Sequence, residues 1–363
     1  MYRQTTAIVD LDAVRNNYSL ACALAPKSKS IAVIKANAYG HGILPVAKAL
    51  HDVVPAFAVA IIDEALELRA GGIFQPILVL EGANNAESFE AAVANELSLV
   101  VHSQEQVAQI LAANCPLSLP LWIKVDTGMH RIGLKPDDLR LALTKFRAGG
   151  HAVSVVCTHL ACADLPGSET TQSQLDTFGA CIAGCGLPTS IANSAGILTC
   201  SASHADWNRP GYMLYGNSPL QIDIEATNDL QPAMTLRSEI IAIRDLAVGE
   251  SVGYGARWTA RRPSTIGTVA AGYADGYPRH APNGTPTMVN SQIAPLVGSV
   301  SMDMLSVDLT DHNKAAIGDA VELWGKDVAV NDVARRSGTI GYELLTGVTA
   351  RVPRIYTSRV ATQ

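Results

Sequence analysis

The chain has 363 residues, 48% of them apolar and 17% charged, and a net charge of −6 at neutral pH. That length exceeds what one hydrophobic core usually supports, which predicts two domains, and the acidic balance excludes the basic surface that nucleic acid requires. No run of about 18 apolar residues occurs that could cross a membrane, and Met1-Tyr2-Arg3-Gln4-Thr5-Thr6 lacks an apolar signal core, so a cytoplasmic protein is expected.

In chain order, short apolar runs recur at residues 31–35, 56–61, 77–80, 97–101, 119–125, 152–157, 189–193 and 207–214. Helical stretches separate them: 63–69 before Gly71 and Gly72, 104–113 opened by Ser103, and 137–147 opened by Pro136 and closed by Gly149 and Gly150. Eight strands without clear polar alternation, separated by helices, predict an α/β fold, a parallel (β/α)8 barrel of the TIM type over residues 10–231. An open doubly wound sheet is the alternative, although no G-x-G-x-x-G follows the first run. Beyond about Leu230, Pro and Gly punctuate runs rich in Val, Ile and Thr at 236–243, 264–270, 287–289, 294–297, 305–309 and 320–323. These predict a mainly β domain over 232–363, a small sandwich or barrel, with residues 1–9 as a candidate addition to it.

All seven cysteines precede Ser201, an odd number with no secretory signal, which predicts reduced thiols. Cys181 and Cys185 share a helix-face spacing without a second pair, and His280 and His312 have no cysteine near them, so no metal site is expected. Cys157, inside an apolar run, reads as packing.

The polar residues of the first part cluster at strand ends. Lys35 follows an apolar run and leads at once into Ala36-Asn37-Ala38-Tyr39-Gly40-His41-Gly42. Lys124 to Arg131 end the fifth run, Thr158-His159 the sixth, Asn193-Ser194-Ala195-Gly196 the seventh, and Arg209-Pro210-Gly211-Tyr212 belong to the eighth. Strand C-terminal ends build the active site of such a barrel, and the loops after its last two strands are its usual phosphate site. A lysine whose pKa burial lowers, facing a phosphate cradle of hydroxyl and backbone N–H groups, is what pyridoxal 5'-phosphate requires: an imine to its aldehyde and an anchor for its phosphate.

On these residues the chain resembles the alanine racemase family across essentially its whole length. The matching segments are 32–42, 124–133, 158–164, 192–195, 209–216, 272–277, 298–303, and Tyr342-Glu343 before 351–354. The resemblance implies that Lys35 forms the internal aldimine with pyridoxal 5'-phosphate and then serves one face of the substrate Cα as a base. Tyr273, from the partner subunit of a homodimer, serves the other face, since exchanging the hand of a carbon requires acid–base groups on both sides. His159 is implied as the hydrogen-bond partner of that tyrosine, and Arg209 as the donor to the cofactor's ring nitrogen. An arginine stays protonated and cannot leave that nitrogen as a pyridinium, which implies a weaker electron sink and fewer side reactions. Tyr39, Ser194, Gly211, Tyr212 and Tyr342 are implied as phosphate contacts. Arg131 and, in trans, Met302 are implied for the substrate carboxylate, with Asp303 beside Met302. Lys124 matches a lysine carbamylated in the family, and an anion there, carbamate or chloride, would hold Arg131.

The implied activity is interconversion of L- and D-alanine, an isomerase reaction supplying D-alanine for peptidoglycan or serving alanine catabolism. A pyridoxal-phosphate decarboxylase and a non-catalytic pyridoxal-phosphate-binding protein are the alternatives. The first would lack the segment around Tyr273, and the second needs no residues beyond 231.

Overall fold

The computed structural model describes residues 4–113 and 116–358. Cys115 and residues 1–3 lie outside the described residues, and the other six cysteines are free thiols. Two compact units emerge: Val14–Ala38 with Ile43–Leu230, and Tyr39–Gly42 with the described residues of 1–13 and 231–363.

The first unit is a closed parallel barrel. Its sheet runs through Ala32–Val33, Phe57–Val59, Ile77–Val79, Ser98–Val101, Leu121–Lys124, Val153–Cys157, Thr189–Asn193 and Trp207–Arg209, and ends on Lys29–Ser30. Closure rests on one interrupted strand. Lys29 and Ser30 pair with Trp207 and Asn208, whereas Ala32 and Val33 pair with Phe57 and Ala58, so residues 29–33 serve both ends of the sheet. Counted once, that strand makes eight, and the open doubly wound alternative falls. Phe57–Val59, Ile77–Val79 and Ser98–Val101 are buried at every position, enclosed by barrel interior and outer helices, which is why no polar alternation marks them.

Among the strand limits that differ from the sequence reading, two bear on the site. The first strand stops at Val33, two residues before Lys35, because the backbone turns left-handed beyond it. The eighth is only Trp207–Arg209; Pro210 cannot donate to a ladder, and Tyr212–Tyr215 coil into a 3-10 turn. Their burial, not strand geometry, produced the continuing apolar run.

The second unit is built on the 13-residue strand Met234–Leu246. Its length lets one edge pair first with Thr6–Asp10 and then with Ser264–Val269, while the other pairs with Ala320–Trp324. Leu305–Asp308, Gln292–Val297 and Pro286–Val289 complete a circuit of six antiparallel strands, a barrel rather than a sandwich. Thr6–Asp10 also holds Arg354–Thr357 in parallel. Its core contains Leu236, Ile240, Val269, Val307, Leu323 and Trp324, with Tyr277 stacked on Trp324 at 5.9 Å between centroids. Two short helices, Val330–Arg336 and Gly341–Gly347, lie where the strand pattern indicated none.

Candidate active site

Lys35 opens a turn that few sequences adopt. Ala36, Asn37, Ala38 and Tyr39 all have φ of 52–53°, a left-handed turn of non-glycine residues that costs roughly 1–2 kcal/mol at each. Hydrogen bonds hold it: the Ala36 N–H donates to Glu64 Oε1 at 2.6 Å, and Asn37 Oδ1 accepts from Ile43 N at 2.8 Å, capping the helix Ile43–Leu50. Burial lowers the Lys35 pKa, Arg131 lowers it further, and Glu64 and Glu81 oppose the shift.

On the fifth strand Lys124 is pushed down to about 8, by burial first and then by Arg209, Arg131 and Lys35, with Cys157 opposing. Among the described residues no carboxylate pairs with Lys124 or Arg131. The loop that carries Arg131 is pinched shut where Leu134 N donates to the Lys124 carbonyl at 2.8 Å and Asp126 N to the Leu134 carbonyl at 2.9 Å. Inside it Asp126 Oδ1 accepts from the N–H groups of Gly128, Met129 and His130, each at 3.0 Å. Partial burial works against the Asp126 carboxylate, but these donors and His130 hold its pKa below the usual value.

His159 and Arg209 are both buried. Arg209 donates to the Thr158 carbonyl at 2.5 Å, to the Ile191 carbonyl at 3.1 Å and to Ser190 Oγ, which fixes its guanidinium. Its Nη2 also lies 3.4 Å from His159 Nδ1. Burial, and then Arg209, Lys124, Arg131 and Lys35, hold the His159 pKa well below the usual imidazole value. The ring is therefore neutral; with Arg209 donating to Nδ1, its own proton sits on Nε2 and is available to donate. From helix Glu169–Ile182, buried Gln174 pins this loop, donating to the His159 carbonyl at 2.9 Å and accepting from Ala161 N at 2.9 Å.

Across the mouth, buried Ser194 follows the seventh strand. Its Oγ accepts from Gly211 N at 2.9 Å and Met213 N at 3.3 Å, so the hydroxyl after the seventh strand meets two backbone N–H groups of the loop after the eighth. Tyr212 lies between those donors, 1% exposed.

The remaining candidates belong to the β unit. Tyr39 and Tyr342 pack with ring centroids 6.0 Å apart, and burial pushes the Tyr39 phenol up to about 12, keeping it a proton donor. Gly40, at φ +84°, admits no side chain, because a Cβ there would strike the Leu345 carbonyl oxygen. Tyr273 and Met302 are 39% and 53% exposed on loops laced together: Tyr273 N donates to the Ser301 carbonyl at 3.0 Å and Ala274 N to that of Met302 at 2.9 Å. Beneath them, fully buried Asp275 accepts from Gly272 N at 2.9 Å and meets Arg351 Nε at 3.2 Å, while Arg351 Nη2 meets Asp303 Oδ1 at 2.8 Å.

The barrel thus brings Lys35, Arg131, Lys124, His159 and Arg209 into one electrostatic cluster, with Ser194, Gly211 and Tyr212 as a separate group of neutral donors. Tyr39, Tyr273, Met302 and Tyr342 stand in the other unit. An amine whose pKa burial lowers and a group of hydroxyl and backbone donors fit a phosphate-bearing aldehyde. Among the described residues no His, Cys, Asp and Glu cluster could hold a metal, and no helix is long and apolar enough to cross a membrane. Sequence reasoning assigned no role to Glu64 or to Arg351. A Glu at the third position of a helix was the visible signal for Glu64, yet it announces only a cap.

Two family models match the chain, the N-terminal domain of alanine racemase over residues 9–219 and its C-terminal domain over residues 233–356. The biosynthetic alanine racemase of Pseudomonas aeruginosa is 49% identical over 98% of this chain and 99% of its own length, and its crystal structure superposes with a TM-score of 0.95, covering 98% of this chain and 100% of that one. The alanine racemase of Chromohalobacter salexigens is also 49% identical, over 98% of each chain. The Bartonella henselae alanine racemase, solved with covalently bound pyridoxal phosphate, is 31% identical with a TM-score of 0.89, covering 98% of this chain and 99% of that one. With both domain models matched and near-half identity across almost every residue, the chain belongs to the alanine racemase family.

Proposed function

We propose that this chain interconverts L-alanine and D-alanine, using pyridoxal 5'-phosphate bound at the barrel mouth, in a homodimer whose second copy supplies Tyr273 and Met302. The observation that carries the proposal is the cluster around Lys35, whose amine is held below its usual pKa by burial and by Arg131, in a chain of this family. Residues 10–231 form the cofactor domain in this reading and residues 232–363 the β domain.

When bound, the cofactor holds the substrate amine and withdraws the electrons left at Cα. Everything else is the work of side chains. Lys35 would hold the cofactor through its aldehyde, an imine formed with loss of water, and its amine, when free, would take or return a proton on one face of Cα. Tyr273 does the same on the opposite face. A phenol has an ordinary pKa near ~10, so it needs a donor to its oxygen, and the Nε2–H of neutral His159 provides one. Arg209, itself held by two carbonyls and a hydroxyl, donates to the ring nitrogen and keeps its own proton. Arg131 and the Met302 N–H receive the substrate carboxylate. Ser194, the Gly211 and Tyr212 backbone, Tyr39 and Tyr342 hold the phosphate. A carbamate on Lys124, or a chloride beside it, restrains Arg131, which no carboxylate among the described residues does. The P. aeruginosa relative is named as a biosynthetic alanine racemase, which supports a role in supplying D-alanine rather than consuming it.

A coupled assay with L-alanine, D-alanine and L-serine tests the proposal. The intact enzyme should racemise alanine in both directions; Lys35→Ala should lose both activity and the cofactor's visible absorbance, and Tyr273→Phe should lose two-way exchange while still binding the cofactor. Retained racemisation in Lys35→Ala would refute it.

A further inference from the structure

Glu64 divides its carboxylate between two tasks. Oε2 accepts from Ala60 N at 2.8 Å, at the end of the second strand, which is a local cap for the helix Ile62–Ala70. Oε1 has no part in that cap. It reaches 28 residues back along the chain and accepts the Ala36 N–H at 2.6 Å, on the peptide that joins Lys35 to the left-handed turn. A charged acceptor is among the stronger hydrogen-bond partners, and this one ties the first strand's end to the second's. Glycine would adopt such a turn without strain; Ala36 and Ala38 do not, so the turn needs an external tether.

We infer that Glu64 is a positioning residue for Lys35: through Ala36 it fixes the peptide that aims the lysine, and its negative charge faces the lysine's amine. The inference rests on the role proposed for Lys35. The charged and titratable groups that face that amine are Arg131, Lys124 and His159 on the later strand ends, and Glu64 and Glu81 on the early ones. Glu64 thus opposes the cations, which burial alone would not do.

Glu64→Gln separates the tasks, because an amide has one acceptor oxygen and can serve the helix or Ala36 but not both. Removing the negative charge lowers the Lys35 pKa further, so the acid limb of kcat, which reports bases of the substrate-bound enzyme, should move to lower pH. With the lysine less well aimed, kcat should fall roughly ten- to a hundredfold with little change in KM. Hydroxylamine should also strip the cofactor absorbance from the holoenzyme several times faster. Glu64→Asp, shorter but still charged, should lower kcat and leave the acid limb in place. Ser103→Ala is the control: Ser103 Oγ caps another helix of the barrel by accepting Gln106 N at 3.2 Å, and its loss should reduce the melting temperature alone. If Glu64→Gln behaves as Ser103→Ala does, with kcat, acid limb and hydroxylamine rate unchanged, Glu64 is only a cap and the inference is overturned. An active Lys35→Ala would instead remove the reading of Lys35 on which it rests, a result distinguishable from the first.

Discussion

A lysine is useful at this site only when it can lose its proton, and two lysines here are arranged to do so. Lys35 is the one whose place in the sequence drew attention; Lys124 is the one whose pKa falls to about 8, through burial and three neighbouring cations. Only the neutral amine attacks carbon dioxide, forming the N–C bond and releasing a proton. Because the folded pKa lies below the ordinary lysine value, the reactive form grows as pH rises through about 8 and vanishes well below it. Mass spectrometry of gently handled protein in bicarbonate should therefore find increasing carbamate on Lys124 from mildly acid to mildly alkaline buffer. A bare lysine throughout, with no anion in density beside it, would remove the proposed restraint on Arg131. His159 illustrates the complementary case, since burial and the same cations keep it neutral and leave it one donor and one acceptor.

At the scale of elements, the loops bearing Tyr273 and Met302 each supply a carboxylate to a cation that neither loop contains. Arg351 meets Asp275 at 3.2 Å and Asp303 at 2.8 Å, and Asp275 is fully buried. Arg351→Ala would leave that carboxylate without its cation, a loss of about 1–3 kcal/mol. Asp275→Asn in the same chain should recover part of it, because an amide oxygen still accepts the Gly272 N–H without a charge to neutralise. Thermal unfolding of the two single variants and the double variant measures this coupling, and strict additivity would show that the pair contributes nothing. The resemblance supplied the segment 351–354 and the neighbour Asp303, but nothing local in either announces their contact: 48 positions separate them, and only folding brings them to hydrogen-bonding distance.

For the molecule as a whole, Tyr273 and Met302 are exposed on their own unit, which the proposed completion of a partner's site requires. If each site is completed in trans, dilution below the dimer dissociation constant should abolish activity in proportion to monomer formed, as followed by sedimentation and assay on the same samples. A fully active monomer would contradict the proposed arrangement.

Read alone, the sequence marked the candidate site residues and much of the architecture. Eight apolar runs marked the barrel because strand burial is a local property of composition, and Lys35, Lys124, His159, Ser194 and Arg209 stood at or beside strand ends because side-chain identity needs no folding to be read. Tertiary structure decided what depends on contacts between distant positions: closure of the barrel through the divided strand at residues 29–33, the circuit of the β unit around Met234–Leu246, and the left-handed turn after Lys35. It decided the protonation states as well, since a pKa responds to burial and neighbouring charge, and both exist only once the strand ends have been gathered at one mouth.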